Sequence, residues 1–354
     1  MKPFNFLTAM GAVWASIAWP VSSTFLPPRD LGFNHTREYT LIGTNYYSYL
    51  QSVPAGMDPI GTVVLVHGFP DLSYGWRYQI PFLTSLGYRV VAPDMLGYGR
   101  SRAPRDLRQF SLKSMSDDLA KLVRRIAGDE QVILGGHDWG GALVYRAALW
   151  HPELFRGIFS VCTPYTAPVP EYVDLKDQIE AGITPSFGYQ LQFRDSAIDS
   201  RLRGATNIRR VLLALYGATT PSGDPGFDAR TGLIFENLPH LGASPLVSNE
   251  DLDYYTVEYL KNTITGPFSW YRTARINFDE ELALVDEETI SFPMPGLYIG
   301  ATKDTALPPE MSIGMEKYFD AGLTRGEVDS SHWALWQAAK DVNSVVGEWI
   351  STLG

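Results

Sequence analysis

Asp138 stands in Gly136-x-Asp138-x-Gly140, between an apolar run, residues 131–135, and a helical stretch, residues 140–149. Strand, sharp turn and helix with glycines either side of a central reactive residue is the nucleophile-elbow pattern, here with Asp in the place of serine. The glycines suit a crowded, strained backbone, and the start of a helix favours an anion. A carboxylate is already ionised at neutral pH and needs no base to become nucleophilic. It suits attack at a saturated carbon, which leaves an ester on Asp138. Releasing that ester calls for a base that activates water. The candidates are the six histidines, at 35, 67, 137, 151, 240 and 332. Neither they nor the single Cys162 have metal-ligand spacing, so no metal and no cofactor are expected.

Positioning such an elbow takes a parallel sheet, and the chain reads as one. Residues 37–53 alternate polar and apolar side chains around Gly43, as an antiparallel strand pair does. Compact apolar runs follow at 62–66, 88–92, 131–135 and 157–162, with helical spacing at 112–126 and 140–149. Strands alternating with helices predict an α/β fold, a mostly parallel sheet covered on both faces. The alternation stops near Pro164, and residues 165–290 are rich in Tyr, Phe, Pro and Gly with several helical patterns. It resumes with a strand at 296–301 and closes with an amphipathic helix over 334–353. The expected domains are a core over 24–164, an inserted helical cap over 165–290, and the rest of the core over 291–354.

The remaining composition narrows the partners. A net charge of −10 over 354 residues argues against nucleic acid and anionic membrane surfaces. One cysteine forms no intrachain disulfide, and on an apolar strand it reads as a small core residue. Residues 1–23 differ from the rest: Lys2, an apolar run from Phe4 to Val21, then Ser22 and Ser23. This predicts a secretory signal peptide or an uncleaved membrane anchor, with a packed N-terminal helix of a cytoplasmic protein as the alternative. Asn34-His35-Thr36, just beyond it, has the form of an N-glycosylation acceptor.

Four segments together make the pattern specific: His67-Gly-Phe-Pro70, Trp76-Arg-Tyr-Gln-Ile-Pro81, Asp94-Met-Leu-Gly-Tyr-Gly-Arg-Ser101 and Gly136-Gly-His-Asp-Trp-Gly-Gly141. From about residue 35 onward the chain resembles the soluble-type epoxide hydrolases of the α/β-hydrolase superfamily. The resemblance implies that Asp138 is the nucleophile and that the backbone N–H groups of Phe69 and Trp139 form the oxyanion hole. The superfamily order of nucleophile, acid and histidine points to Asp304 and His332. Ser331 precedes that histidine where the family has glycine. His67 and His137 sit inside motifs that set backbone geometry and read as structural.

The reaction turns on the leaving group. A halide departs as a stable anion, whereas an epoxide opens to an alkoxide that needs a proton donor. In the family the donors are two cap tyrosines, and their motifs match here at Tyr189, in Tyr189-Gln-Leu-Gln-Phe193, and Tyr271, after Gly266-Pro-Phe-Ser-Trp270. With both present, the expected activity is epoxide hydrolysis to a vicinal diol, or closure of a cyclic ether by a substrate hydroxyl. Dehalogenation and ligand reception on the same fold are the alternatives. Trp139, Phe187 and Trp270 are the expected substrate contacts. With Tyr165, Tyr172, Phe193 and Phe268 they suggest a bulky apolar epoxide.

Overall fold

A computed structural model describes residues 31–353; the expected signal or anchor segment, 1–23, lies outside them. Eight strands form one sheet in the order β1-β2-β4-β3-β5-β6-β9-β10. They are β1 (Thr36–Ile42), β2 (Asn45–Ser52), β3 (Thr62–Val66), β4 (Arg89–Pro93), β5 (Val132–His137), β6 (Phe155–Val161), β9 (Gly296–Ala301) and β10 (Leu323–Val328). The first two are the expected antiparallel pair, with Gly43 turning between them at φ 59°. From β4 to β10 every pairing is parallel. Strands β3, β5 and β9 are buried along their whole length, which is why they read as continuous apolar runs.

Helices α1 (Gln79–Ser85), α2 (Leu112–Ala127) and α3 (Trp139–Trp150) lie within this first part of the sheet domain. Helix α2 has clear ends: Ser111 accepts the Ser114 N–H at its start, and Gly128 closes it at φ 64°. Between β6 and β9 the chain forms α4 (Leu175–Glu180), α5 (Gly188–Arg194), α6 (Ile198–Arg201), α7 (Ala205–Leu215), α8 (Asn249–Asn262), α9 (Thr265–Phe268) and α10 (Ala274–Asp286). A two-stranded hairpin, β7 (Phe227–Asp228) with β8 (Gly232–Leu233), also lies in this segment, where the sequence suggested helices alone.

The C-terminal helix differs from expectation. Residues 334–353 form two helices, α11 (Ala334–Gln337) and α12 (Ala339–Ser351), broken at Ala338 with φ −120° and ψ 36°. Distant bonds fix the break. Trp333 donates its indole N–H to the Leu215 carbonyl at 3.2 Å, and Trp336 donates to Gly75 at 2.9 Å. The two indoles stack 4.8 Å apart.

Candidate active site

Asp138 occupies the turn between β5 and α3 at φ 54° and ψ −128°, a strained conformation for a residue with a side chain. The turn closes because Gly140 lies directly against the carbonyl of Val66, and a β-carbon there would collide with backbone. Thr163 holds the far side, donating its hydroxyl to the Asp138 carbonyl at 2.8 Å. The Phe69 N–H, from the loop after β3, donates to Asp138 Oδ1 at 2.7 Å. The Trp139 N–H also bonds to this carboxylate. Burial raises the Asp138 pKa, partly offset by His332 and these two N–H groups.

Asp304 and His332 arrive from the loops after β9 and β10. His332 Nδ1 donates to Asp304 Oδ2 at 2.7 Å, and its Nε2 lies 3.6 Å from Asp138 Oδ2. The other Asp304 oxygen accepts the Ala306 and Leu307 N–H groups, each at 2.9 Å. Burial alone would raise the Asp304 pKa, but His332 and the hydrogen bonds hold it below the ordinary carboxylate range. Burial works against a charged His332, yet the two flanking carboxylates hold its pKa above the ordinary imidazole value. The imidazole therefore favours its protonated state while Asp138 is an anion.

The other central histidines are neutral. His67 accepts the Met95 N–H at 2.9 Å through Nε2, and burial pulls its pKa down to about 4. His137 is buried, which together with the neighbouring His332 lowers its pKa to about 3. Its Nε2–H donates to the His332 carbonyl at 2.8 Å. The Cys162 thiol donates to the same oxygen at 3.5 Å. Cys162 is buried as expected, but just past the end of β6 and in a left-handed turn at φ 67°. His137, Cys162 and His332 place nitrogen and sulfur atoms within 4.8 Å of one another. Sequence spacing did not reveal that grouping.

Tyr189 in α5 and Tyr271, six residues past the start of α9, face each other with ring centres 6.0 Å apart. Tyr271 packs edge-on against Phe69 at 5.7 Å and Trp139 at 5.3 Å, so its ring stands over the elbow with Tyr189 beside it. Burial raises both phenol pKa values; the Asp138 charge adds to it for Tyr189, and Tyr189 and then Asp138 add to it for Tyr271, so both stay protonated. Of the expected substrate contacts, Trp139 touches Tyr271 directly. Trp270 is fully buried, with its N–H bound to the Leu96 carbonyl at 2.9 Å and its ring 6.3 Å from Trp139. Phe187 is half-buried in the turn that leads into α5.

A family profile described as alpha/beta hydrolase fold matches residues 61–204. The epoxide hydrolase srdG of Neurospora crassa is 41% identical over 93% of this chain and 99% of its own. The bifunctional epoxide hydrolase 2 of Rattus norvegicus is 31% identical over 86% of this chain, which spans 53% of that longer protein. The crystal structure of an epoxide hydrolase from Vigna radiata superposes with a TM-score of 0.75, covering 90% of this chain and 98% of that one at 23% identity, a likeness of fold. Identity on this scale, across nearly the whole of both chains for the fungal relative, gives the elbow of Asp138 its context: the chain belongs to the epoxide hydrolases of the α/β-hydrolase fold.

Proposed function

We propose that this protein opens an apolar epoxide through a covalent ester on Asp138 and hydrolyses that ester with water activated by His332. The observation that carries the reading is the convergence on one carboxylate. The Phe69 N–H holds one oxygen, an imidazole faces the other, and a protonated phenol, Tyr271, packs on the elbow with a second, Tyr189, beside it. In the first step Asp138 attacks a ring carbon while Tyr189 and Tyr271 bind the ring oxygen and one of them protonates the alkoxide. A phenol with a raised pKa keeps its proton until a strong base such as an alkoxide forms. In the second step His332, oriented by Asp304, takes a proton from water, which attacks the ester carbonyl. The Phe69 and Trp139 N–H groups stabilise the resulting oxyanion. Its collapse breaks the bond from the carbonyl carbon to the alkyl oxygen; the imidazolium protonates that oxygen as the diol leaves, and the Asp138 carboxylic acid returns its proton to His332.

The charges link the two steps. Esterification turns Asp138 from an anion into a neutral group, and so removes one of the two negative charges that hold His332 protonated. The imidazolium proton can then pass through solvent to the tyrosinate left by the first step, and the imidazole becomes a competent base once there is an ester to hydrolyse. Both phenols come from the segment between β6 and β9, which supports reading 165–290 as a cap over the site. The apolar N-terminal segment supports a secretory or membrane-anchored location. Among the described residues no helix is long and apolar enough to cross a membrane.

A single turnover in heavy-oxygen water tests the scheme. The first diol is expected to be unlabelled, because its new oxygen comes from Asp138; label in that first product would overturn the ester. His332→Gln is expected to accumulate the ester, seen as substrate mass added to the protein.

A further inference from the structure

The sequon Asn34-His35-Thr36 plays no part in the chemistry above, and it is the only N-x-Ser/Thr tripeptide in the chain. Both residues of it that a transferase must read, Asn34 and Thr36, are exposed. The fold uses the backbone of Asn34: Ser52 donates its hydroxyl to the Asn34 carbonyl at 2.7 Å. That bond fixes where the exposed carboxamide projects from the surface.

The surroundings leave room for a sugar at this position. Asn34 borders a hollow of about 370 Å³, shared with Ser52, Val53, Pro54, Met57 and Pro81. Its rim is apolar and open to solvent, with Val53 41% and Met57 55% exposed. A sugar ring presents an apolar face and a hydroxylated edge, which suits a hollow of mixed apolar walls and serine hydroxyls. The place also leaves catalysis free. Asn34 precedes β1, the edge strand, which is antiparallel to β2, itself antiparallel to β4. Strand β1 therefore runs in the direction of the parallel strands, and its start lies at the end of the sheet opposite the loops that carry Asp138, Asp304 and His332.

We propose that Asn34 carries an N-linked oligosaccharide whose first sugars seat in this hollow. The inference rests on the reading of the N-terminal segment as a route into the secretory pathway, and not on the reaction at Asp138. In the transfer, the Asn34 amide nitrogen bonds to C1 of a lipid-linked oligosaccharyl diphosphate. The bond from C1 to the diphosphate oxygen breaks, the lipid diphosphate leaves with the electron pair, and the transferase takes the amide proton.

Translation of the full chain with endoplasmic-reticulum microsomes tests this, with protease protection reading entry and peptide-N-glycosidase reading the glycan. One glycosidase-sensitive mass shift is expected, lost in Asn34→Gln and Thr36→Ala and kept in Thr36→Ser. A protected chain without the shift, a shift that persists in Asn34→Gln, or a chain left outside the vesicles overturns the proposal. Methionine oxidation by peroxide reads the seat of the sugars. Met57 is expected to oxidise more slowly in the glycosylated chain than in Asn34→Gln, and equal rates would remove the hollow from the proposal. Neither readout depends on epoxide turnover, so a failure here and a failure of the catalytic reading are told apart.

Discussion

Two carboxylates share one imidazole in this site, and they make different demands of it. Asp304 bonds His332 Nδ1 directly and keeps its charge throughout, so it sets the orientation of the ring and a permanent bias toward protonation. Asp138 lies 3.6 Å from Nε2, and in the proposed scheme its charge comes and goes. In Asp138→Asn, a resting mimic of the neutral ester, His332 is therefore expected to titrate at lower pH than in the parent. Removing a nearby anion disfavours the imidazolium. A proton NMR titration of the His332 ring measures it, and an unchanged midpoint would contradict the coupling. The backbone of His332 is held as well as its ring. His137 and the Cys162 thiol both reach its carbonyl. Nothing local announces that role for Cys162, since its partner lies 170 residues further along the chain.

Among the elements, α8 anchors the inserted segment to the sheet domain. Its start is secured by a capping box between Ser248 and Asp251. From its length Tyr255 donates to Asp71 at 2.6 Å, beside the Phe69 loop, and Asn262 donates to the carbonyls of Gly99 and Ser101. Arg100 grips the buried carboxylate of Glu258 with Nε and Nη2. Glu258→Ala leaves Arg100 without its carboxylate partner and is expected to destabilise the protein by about 2 kcal/mol, less than for a fully buried pair because Arg100 is partly solvated. Chemical denaturation measures the loss; a change within a few tenths would show that the pair does not hold the helix. The inner strands were legible in the sequence because burial on both faces demands uninterrupted apolar residues, as in Thr62–Val66. Strand β10, Leu-Thr-Arg-Gly-Glu-Val, lies at an edge with only Val328 buried, so it left a fainter trace. The break at Ala338 left none, because indole bonds to Leu215 and Gly75 decide it rather than a local stop signal. The motifs named the candidates Asp138, Asp304 and His332, which the structure brings together; what the motifs could not supply was distance and charge.

At the scale of the whole molecule the sheet has two unlike ends. Its carboxyl end gathers Phe69, Asp138, Asp304 and His332, as open parallel sheets do. The described chain enters at the other end, where Leu31 and Phe33 pack on the core. Removing residues 1–30 while keeping Leu31 and Phe33 is therefore expected to leave kcat/KM for an epoxide within about twofold of the full chain, well under the 1.4 kcal/mol that a tenfold change represents. Steady-state turnover of both forms in detergent measures it, and a large loss would place the N-terminal segment near the chemistry. The Phe69 and Trp139 donors have a different bearing on the molecule's history. They are peptide groups, so nearly any side chain can be exchanged at either position without deleting the hydrogen bond itself. In the proposed scheme Phe69 and Trp139 would thus be at once wall and catalyst: the wall open to selection for new substrates, the dipoles behind it inherited with the fold.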